Sequence, residues 1–224
     1  MVLDHVINKT PVKTTGRKIT VNNIYIIDCS GSMGSRFSNS KRKMAFDKIR
    51  EEIEHLKDLN AKENINHIAS LIVFDDNVHV SFKRRALSNI QAELDSTTLG
   101  GMTALRDAMS DGISLVKKGE HSIIKMFTDG GENGSRYISK SAVNELIKSQ
   151  PENVTVTIQC VKRDLRIIRE LFPSIDQSNI NTYENTIEGV ELSANLRSVA
   201  TKKYTKSLLR GESVNKSFYS KVKR

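Results

Sequence analysis

Ile24-Tyr25-Ile26-Ile27-Asp28-Cys29-Ser30-Gly31-Ser32-Met33-Gly34 is the stretch on which the fold turns. Its first four residues are apolar without a break, the pattern of a strand buried on both faces rather than one alternating toward solvent. The run stops at a carboxylate and passes into small and hydroxylated residues, the composition of a tight loop. A strand buried on both faces needs a layer above and a layer below, so the flanking sequence has to supply helices for each.

It does. Phe46, Ile49, Ile53 and Leu56 lie on one stripe of a helix. A second strand follows from Ile68 to Phe74, then Asp75-Asp76-Asn77 as a turn, then Val78, Val80 and Phe82 alternating with polar residues. A period of two after so short a turn predicts a hairpin and therefore an antiparallel edge strand. Leu105, Ala108, Met109, Gly112, Ile113 and Val116 predict a helix after Thr103, closed by Lys117, Lys118 and Gly119. Ile123 to Phe127 is a further central strand, and Val143, Leu146 and Ile147 mark a short helix ending before Pro151. Val154, Val156, Ile158 and Cys160 form a strand, and Asp164 is placed to cap a helix carrying Leu165, Ile168 and Leu171 that Pro173 ends. Ile180 to Tyr183 reads as a short sixth strand. The last helix runs from about Ile187 toward Leu209, with Leu192, Leu196 and Val199 expected to pack inward. The expected fold is α/β: a doubly wound, Rossmann-like, mainly parallel sheet with one antiparallel edge strand and helices on both faces.

The chain has 224 residues and is 38% hydrophobic, enough for one compact domain with a sizeable core. Its formal charge of +9 is unevenly placed. Residues 1–20 hold four basic and one acidic residue, and residues 201–224 hold eight basic and one, which leaves 23 basic against 24 acidic between them. The chain is accordingly divided into a basic N-terminal extension (1–20), a folded domain (21–210) and a basic C-terminal tail (211–224). The tail is expected to be flexible and dispensable for folding, because it is charged and holds little apolar sequence. Nucleic-acid binding through the basic ends is an alternative reading. It is not favoured, because the core is near neutral and Tyr204, Phe218 and Tyr219 are too few for a stacking platform. No stretch approaches the length needed to cross a bilayer, and the first residues lack the basic-then-apolar order of a secretory signal. Only Cys29 and Cys160 occur, so a reducing, cytoplasmic location and no membrane association are expected.

In an open parallel sheet the crevice lies beyond the carboxyl ends of the strands. Two loops leaving such ends are rich in hard oxygen donors, Asp28 to Gly34 and Thr128-Asp129-Gly130-Gly131, and Gly100-Gly101-Met102-Thr103 opens a helix between them. Asp28-Cys29-Ser30-Gly31-Ser32 resembles the DxSxS motif of von Willebrand factor type A (VWA) domains. Gly101-Met102-Thr103-Ala104-Leu105 resembles the family's second loop and Thr128-Asp129-Gly130 its third. The resemblance spans about residues 20–210, which assigns 21–210 to a VWA domain similar to small stand-alone bacterial or phage members of the family, and hence a bacterial or phage-infected cytoplasm.

The resemblance implies a metal-ion-dependent adhesion site (MIDAS) in which Ser30, Ser32 and Thr103 ligate through hydroxyls, with Asp28 and Asp129 often acting through bound water. Mg²⁺, or Mn²⁺ in its place, suits such an all-oxygen set. His and thiolate ligands are absent from it, which argues against Zn²⁺. It further implies a protein partner that presents an Asp or Glu to the ion, and a binding module rather than an enzyme. Cys29 is expected to be structural, and Asp107 to support the site rather than ligate. Arg36, Met102, Glu132, Asn133 and Arg136 are expected to rim the ion, either setting partner choice or serving as ordinary loop residues. His55, His67, His79 and His121 have no assigned role. Enzyme readings fare worse: an Asp-nucleophile phosphatase would need an Asp where Ser30 stands, and the G-x-S-x-G elbow is broken at its first Gly. A Mg²⁺-dependent hydrolase remains as a second alternative, with only Asp107 or Glu132 near enough to act as base.

Overall fold

The computed structural model describes residues 18–34, 40–90, 100–212, 217–219 and 222. The strands are β1 (Ile19–Asp28), β2 (Ile65–Phe74), β3 (Val78–Ala86), β4 (His121–Phe127), β5 (Val154–Val161) and β6 (Ile180–Tyr183). The helices are α1 (Lys41–Lys62), α2 (Leu105–Ser114), α3 (Lys140–Lys148), α4 (Leu165–Leu171) and α5 (Ile187–Leu209). The strands form one sheet in the order β3-β2-β1-β4-β5-β6. All neighbours are parallel except β2 and β3, whose hairpin turns at residues 75–77 and sets an antiparallel edge, as its alternation predicts.

Alternation along β1 sorts the two layers. Ile24 and Ile26 face α2, α3 and α4, packing with Leu105, Met109, Val143 and Ile168. Tyr25 and Ile27 face α1 and the start of α5, packing with Phe46, Ile49, Ile53 and Val190. β1 starts five residues earlier than its apolar run, because Val21, Asn22 and Asn23 are buried although two of them are polar.

Several expectations need correction. In α5 the buried face is Val190, Ser193, Ala194, Arg197, Thr201, Tyr204, Thr205 and Leu208, while Leu192 is 71% and Val199 42% exposed. Leu146 likewise lies at the surface of α3. Asp164 precedes α4 but makes no side-chain cap bond, because residues 162–164 form a 3₁₀ turn and Asp164 already has helical dihedrals. α2 ends at Ser114, short of Lys117-Lys118-Gly119, which lie in the turn that follows. The C-terminal segment is not simply a solvated tail. Phe218 and Tyr219 are buried against Val21, Ile123 and Tyr204 at the amino ends of the strands, because they cover apolar surface that α5 leaves open. Of the expected extension at 1–20, residues 1–17 lie outside the described residues, and Ile19 and Thr20 belong to β1. Among those described, no helix is long and apolar enough to cross a membrane.

Candidate metal centre

The chain runs from β1 to β2 and β3 on one side of the sheet, then crosses to β4 on the other. The order reverses between β1 and β4, the place where open α/β sheets leave a crevice. Ile27 and Phe127 are in register there, so Asp28 and Thr128-Asp129 leave the sheet side by side.

Asp28 is fully buried. Its Oδ1 accepts the Ser30 N–H at 2.8 Å and its Oδ2 the Thr128 hydroxyl at 2.6 Å. Burial pushes this carboxyl above its usual range, and the bonds from Ser30 and Thr128 oppose the shift. The Ser30 and Ser32 hydroxyls are 3.2 Å apart, and Ser32 Oγ donates to Asp129 Oδ1 at 2.6 Å. A short 3₁₀ turn over Gly31–Met33 makes this approach, anchored by fully buried Met33. Cys29 is also fully buried, and burial pushes its thiol up to about 12, so it fills space as expected.

Thr103 is held from two sides. Asp75 accepts the N–H groups of Asn77 at 2.8 Å and Gly100 at 3.0 Å through its carboxylate, and its carbonyl accepts Ala104 N–H at 2.7 Å. That staples the Thr103 loop to the β2–β3 turn. Gly101 in this loop has φ +134°, where a side chain would be strained and would meet Asp76 Oδ1 at 2.9 Å. On the other side, Asn133 Oδ1 accepts Thr103 N–H at 2.6 Å, and Thr103 O accepts the N–H groups of Asn133 and Gly134. A Cβ on Gly134 would lie 3.0 Å from the Thr103 backbone, so only glycine permits this approach.

The two hydroxyl loops meet over Gly130. A Cβ there would stand 3.4 Å from Thr103 Oγ1 and 3.8 Å from Ser32 Oγ. Asp28, Ser30, Ser32, Thr103 and Asp129 are therefore brought together, buried at Asp28 and Asp129 and open at Ser32. Among the described residues no three His, Cys, Asp or Glu side chains converge as a metal cluster. This set contains two such side chains and three hydroxyls.

The expected rim divides. Asp107 accepts backbone N–H bonds from Arg136, Tyr137 and Ile138, which fixes the loop after β4. Glu132 is bonded by Arg106 N–H, Gly134 N–H, Ser135 N–H and the Ser135 hydroxyl. Glu132 and Asn133 are thus scaffold rather than rim. Met102 is 43% exposed and Arg136 faces solvent 3.9 Å from Asp76, so these two do border the opening. Arg36 lies outside the described residues.

Three contributors escape a reading of the sequence. Tyr183 of β6 donates to Thr128 O at 2.7 Å and stacks on Phe127 with centroids 5.0 Å apart, bracing the third loop. Asp75 reads only as a turn residue. Lys41, the first residue of α1, pairs through Nζ with Asp129 Oδ2 and donates to Asn185 Oδ1 at 2.7 Å. Nothing local announces these contacts, which span 88 and 144 positions.

Residues 24–132 match the family model of the von Willebrand factor type A domain. No curated protein matches the chain in sequence. Among solved structures, the PilB minor pilin of Streptococcus sanguinis superposes with a TM-score of 0.60 at 14% identity, covering 87% of this chain and 62% of the pilin. Proximal thread matrix protein 1 of the mussel byssus, in a form with a zinc-occupied MIDAS motif, gives 0.57 at 15%, over 79% of this chain and 46% of its own. A von Willebrand factor type A protein from Catenulispora acidiphila gives 0.60 at 12%, over 82% and 43%. The chain thus spans less than half the length of the latter two proteins, and the similarity is one of fold. Residues 24–132 thus match the von Willebrand factor type A domain model, and the sheet they build with the rest of the described chain has the Rossmann-like fold of such domains.

Proposed function

We propose that the chain is a divalent-ion-dependent protein-binding module, in which Ser30, Ser32, Thr103, Asp28 and Asp129 hold Mg²⁺ or Mn²⁺ and a partner's Asp or Glu completes the site. VWA domains are generally protein-interaction modules. The observation that carries the finer reading is the shared space over Gly130, lined by hydroxyls from two chain-distant loops and bounded by Asp129. Three neutral hydroxyls suit a hard cation and, with the two carboxylates acting through bound water, would leave its direct ligands largely uncharged. Such an ion would offer an electrophilic position to an anionic oxygen. The Lys41 ammonium on Asp129 stands where a cation is favoured and supports the same reading. The zinc-occupied motif of the mussel protein makes Zn²⁺ a third ion to test beside Mg²⁺ and Mn²⁺.

A binding role is favoured over hydrolysis because both candidate bases are committed. Asp107 and Glu132 each accept several backbone N–H bonds, so their oxygens are occupied in holding the loops rather than presented to a water at the site. Nucleic-acid binding through the tail loses its stacking residues, since Phe218 and Tyr219 are buried.

Affinity capture from the native host with Mg²⁺ or EDTA tests the proposal. Asp129→Ala should abolish capture in Mg²⁺ while keeping a cooperative thermal transition. EDTA should mimic it, and added Mg²⁺ should rescue the EDTA sample alone. Undiminished capture by a folded Asp129→Ala protein in EDTA would overturn the reading.

A further inference from the structure

Lys41 is an unexpected cation in this place. It opens α1 directly after Ser40, whose side chain caps the helix, and the first turn reads Lys41-Arg42-Lys43 with no acidic residue. The amino end of a helix carries partial positive charge and favours anions, so three cations there oppose the local preference. Lys43 is offset by Asp47 and Arg42 donates to Cys29 O at 3.3 Å. Of the three, Lys41 pairs with a carboxylate of the site. Its ammonium is gripped by Asp129 and by Asn185, one residue before the cap of α5, and its side chain is only 15% exposed.

Both oxygens of Asp129 are thereby engaged, Oδ1 by the Ser32 hydroxyl and Oδ2 by Lys41. The Ser32 hydroxyl can rotate its proton away and accept, but an ammonium has only donors, so Lys41 cannot itself ligate and stands on Asp129 as a second cation beside any bound ion. We infer that Lys41 is an internal cation that competes with the divalent ion for Asp129, lowering the site's intrinsic ion affinity while raising the positive charge of the loaded site.

This rests on the metal reading above and adds a property to it. In formal charges, Asp28, Asp129 and Lys41 sum to one negative charge, and a divalent ion turns that into one positive charge. Without Lys41 the loaded site would be neutral. Lys41 therefore disfavours an ion alone and favours an ion accompanied by an anionic oxygen, which couples ion loading to partner binding. Even at the dielectric of water, repulsion between an ammonium and a divalent ion a few ångströms apart amounts to about tenfold in affinity.

The test is Mn²⁺ binding to the full chain, read as free Mn²⁺ by electron paramagnetic resonance with no partner present. Lys41→Met should bind Mn²⁺ at least about tenfold more tightly than the parent, and Lys41→Arg, which keeps the charge, within about threefold of it. Asn185→Ala releases the tether and should tighten binding by a smaller factor, and it decides alone if Lys41→Met does not fold. Unchanged or weaker binding in Lys41→Met and Asn185→Ala overturns the inference, as does an equal gain in Lys41→Arg and Lys41→Met. Parent binding that Lys41→Met leaves unaltered removes this inference only. No Mn²⁺ binding by parent or variants at millimolar ion removes the metal reading, and this inference with it.

Discussion

His67 lies fully buried on β2, its Nδ1 3.2 Å from the Asn23 amide nitrogen and its Nε2 3.2 Å from the Thr205 hydroxyl. Thr205 gives its own proton to Thr201 O and Asn23 Nδ2 can only donate, so the network assigns the proton to Nε2 and leaves Nδ1 as acceptor. Protonating Nδ1 would set an N–H against an amide N–H beside the Lys125 ammonium. Burial and Lys125 together hold His67 down to about 3. Glu52, close by, accepts Lys125 at 2.6 Å and Arg197 at 2.9 Å; burial would raise its carboxyl, and the two cations hold it at about 2 instead. Both folded values are depressed, so between pH 6.5 and 3 the unfolded chain takes up more protons and stability falls as pH falls. His67 should account for about 3 kcal/mol of loss between pH 7 and pH 4, with Glu52 adding to it below about pH 4.5. Urea unfolding at these two pH values checks this. His67→Gln should flatten the slope between pH 7 and 5, and an unchanged slope would show that His67 is not its source.

The same cluster explains why α5 misleads at the scale of the element. Its inner face carries Ser193, Arg197, Thr201 and Thr205, which answer Glu52, Gln159 and His67 across the layer. An apolar stripe is the signal by which a helix face is assigned, and here the polar residues are the buried ones. Leu192→Ala should therefore change stability by no more than about 0.5 kcal/mol, and Leu208→Ala should cost about 2 kcal/mol or more, measured by denaturant unfolding. Equal costs would place Leu192 in the core after all. Elsewhere the elements were legible. β6 and α5 begin and end at the residues their patterns indicate, and Phe46, Ile49, Ile53 and Leu56 all point inward. The strands were readable because each is locally apolar or, at the β3 edge, alternates with a period of two. The three loops that carry the five proposed ligands were readable because a short motif marks each. Lys41, Asn185, Tyr183 and the charged layer were not, because their partners are set by tertiary neighbours that no local window contains.

For the whole molecule, the sheet is closed at one end by the oxygen-rich loops and at the other by aromatic side chains from beyond α5. Phe218 is 5% exposed and Tyr219 fully buried, their rings meeting edge to face with centroids 5.0 Å apart. Tyr204 lies 6.2 Å from Phe218, and Val21, Ile65 and Ile123 at the strand starts line the same cluster. The backbone is tied as well: Phe218 N–H donates to Asn179 Oδ1 at 2.8 Å and Tyr219 N–H to Ser178 O at 3.3 Å. Burying an aromatic side chain stabilises by a few kcal/mol, against which stands the entropy of ordering a short segment. Packing outweighs ordering here because two rings and two backbone bonds share that single cost. Deleting residues 212–224 should therefore destabilise the domain by about 3 kcal/mol, lowering its melting temperature by roughly 6 to 12 °C. Phe218→Ala in the full chain should reproduce most of the loss, whereas neutralising Lys221 and Lys223 should not, since the effect is one of packing rather than charge. The proposed metal site lies at the opposite end of β1 and β4, so the truncated protein, while folded, should keep the parent's Mn²⁺ affinity. Calorimetry of truncated and full-length protein decides the first point: a melting temperature unchanged by the deletion would mean the aromatic segment is a bystander, and a weakened Mn²⁺ constant in the folded truncation would mean the two ends of the sheet are coupled through it.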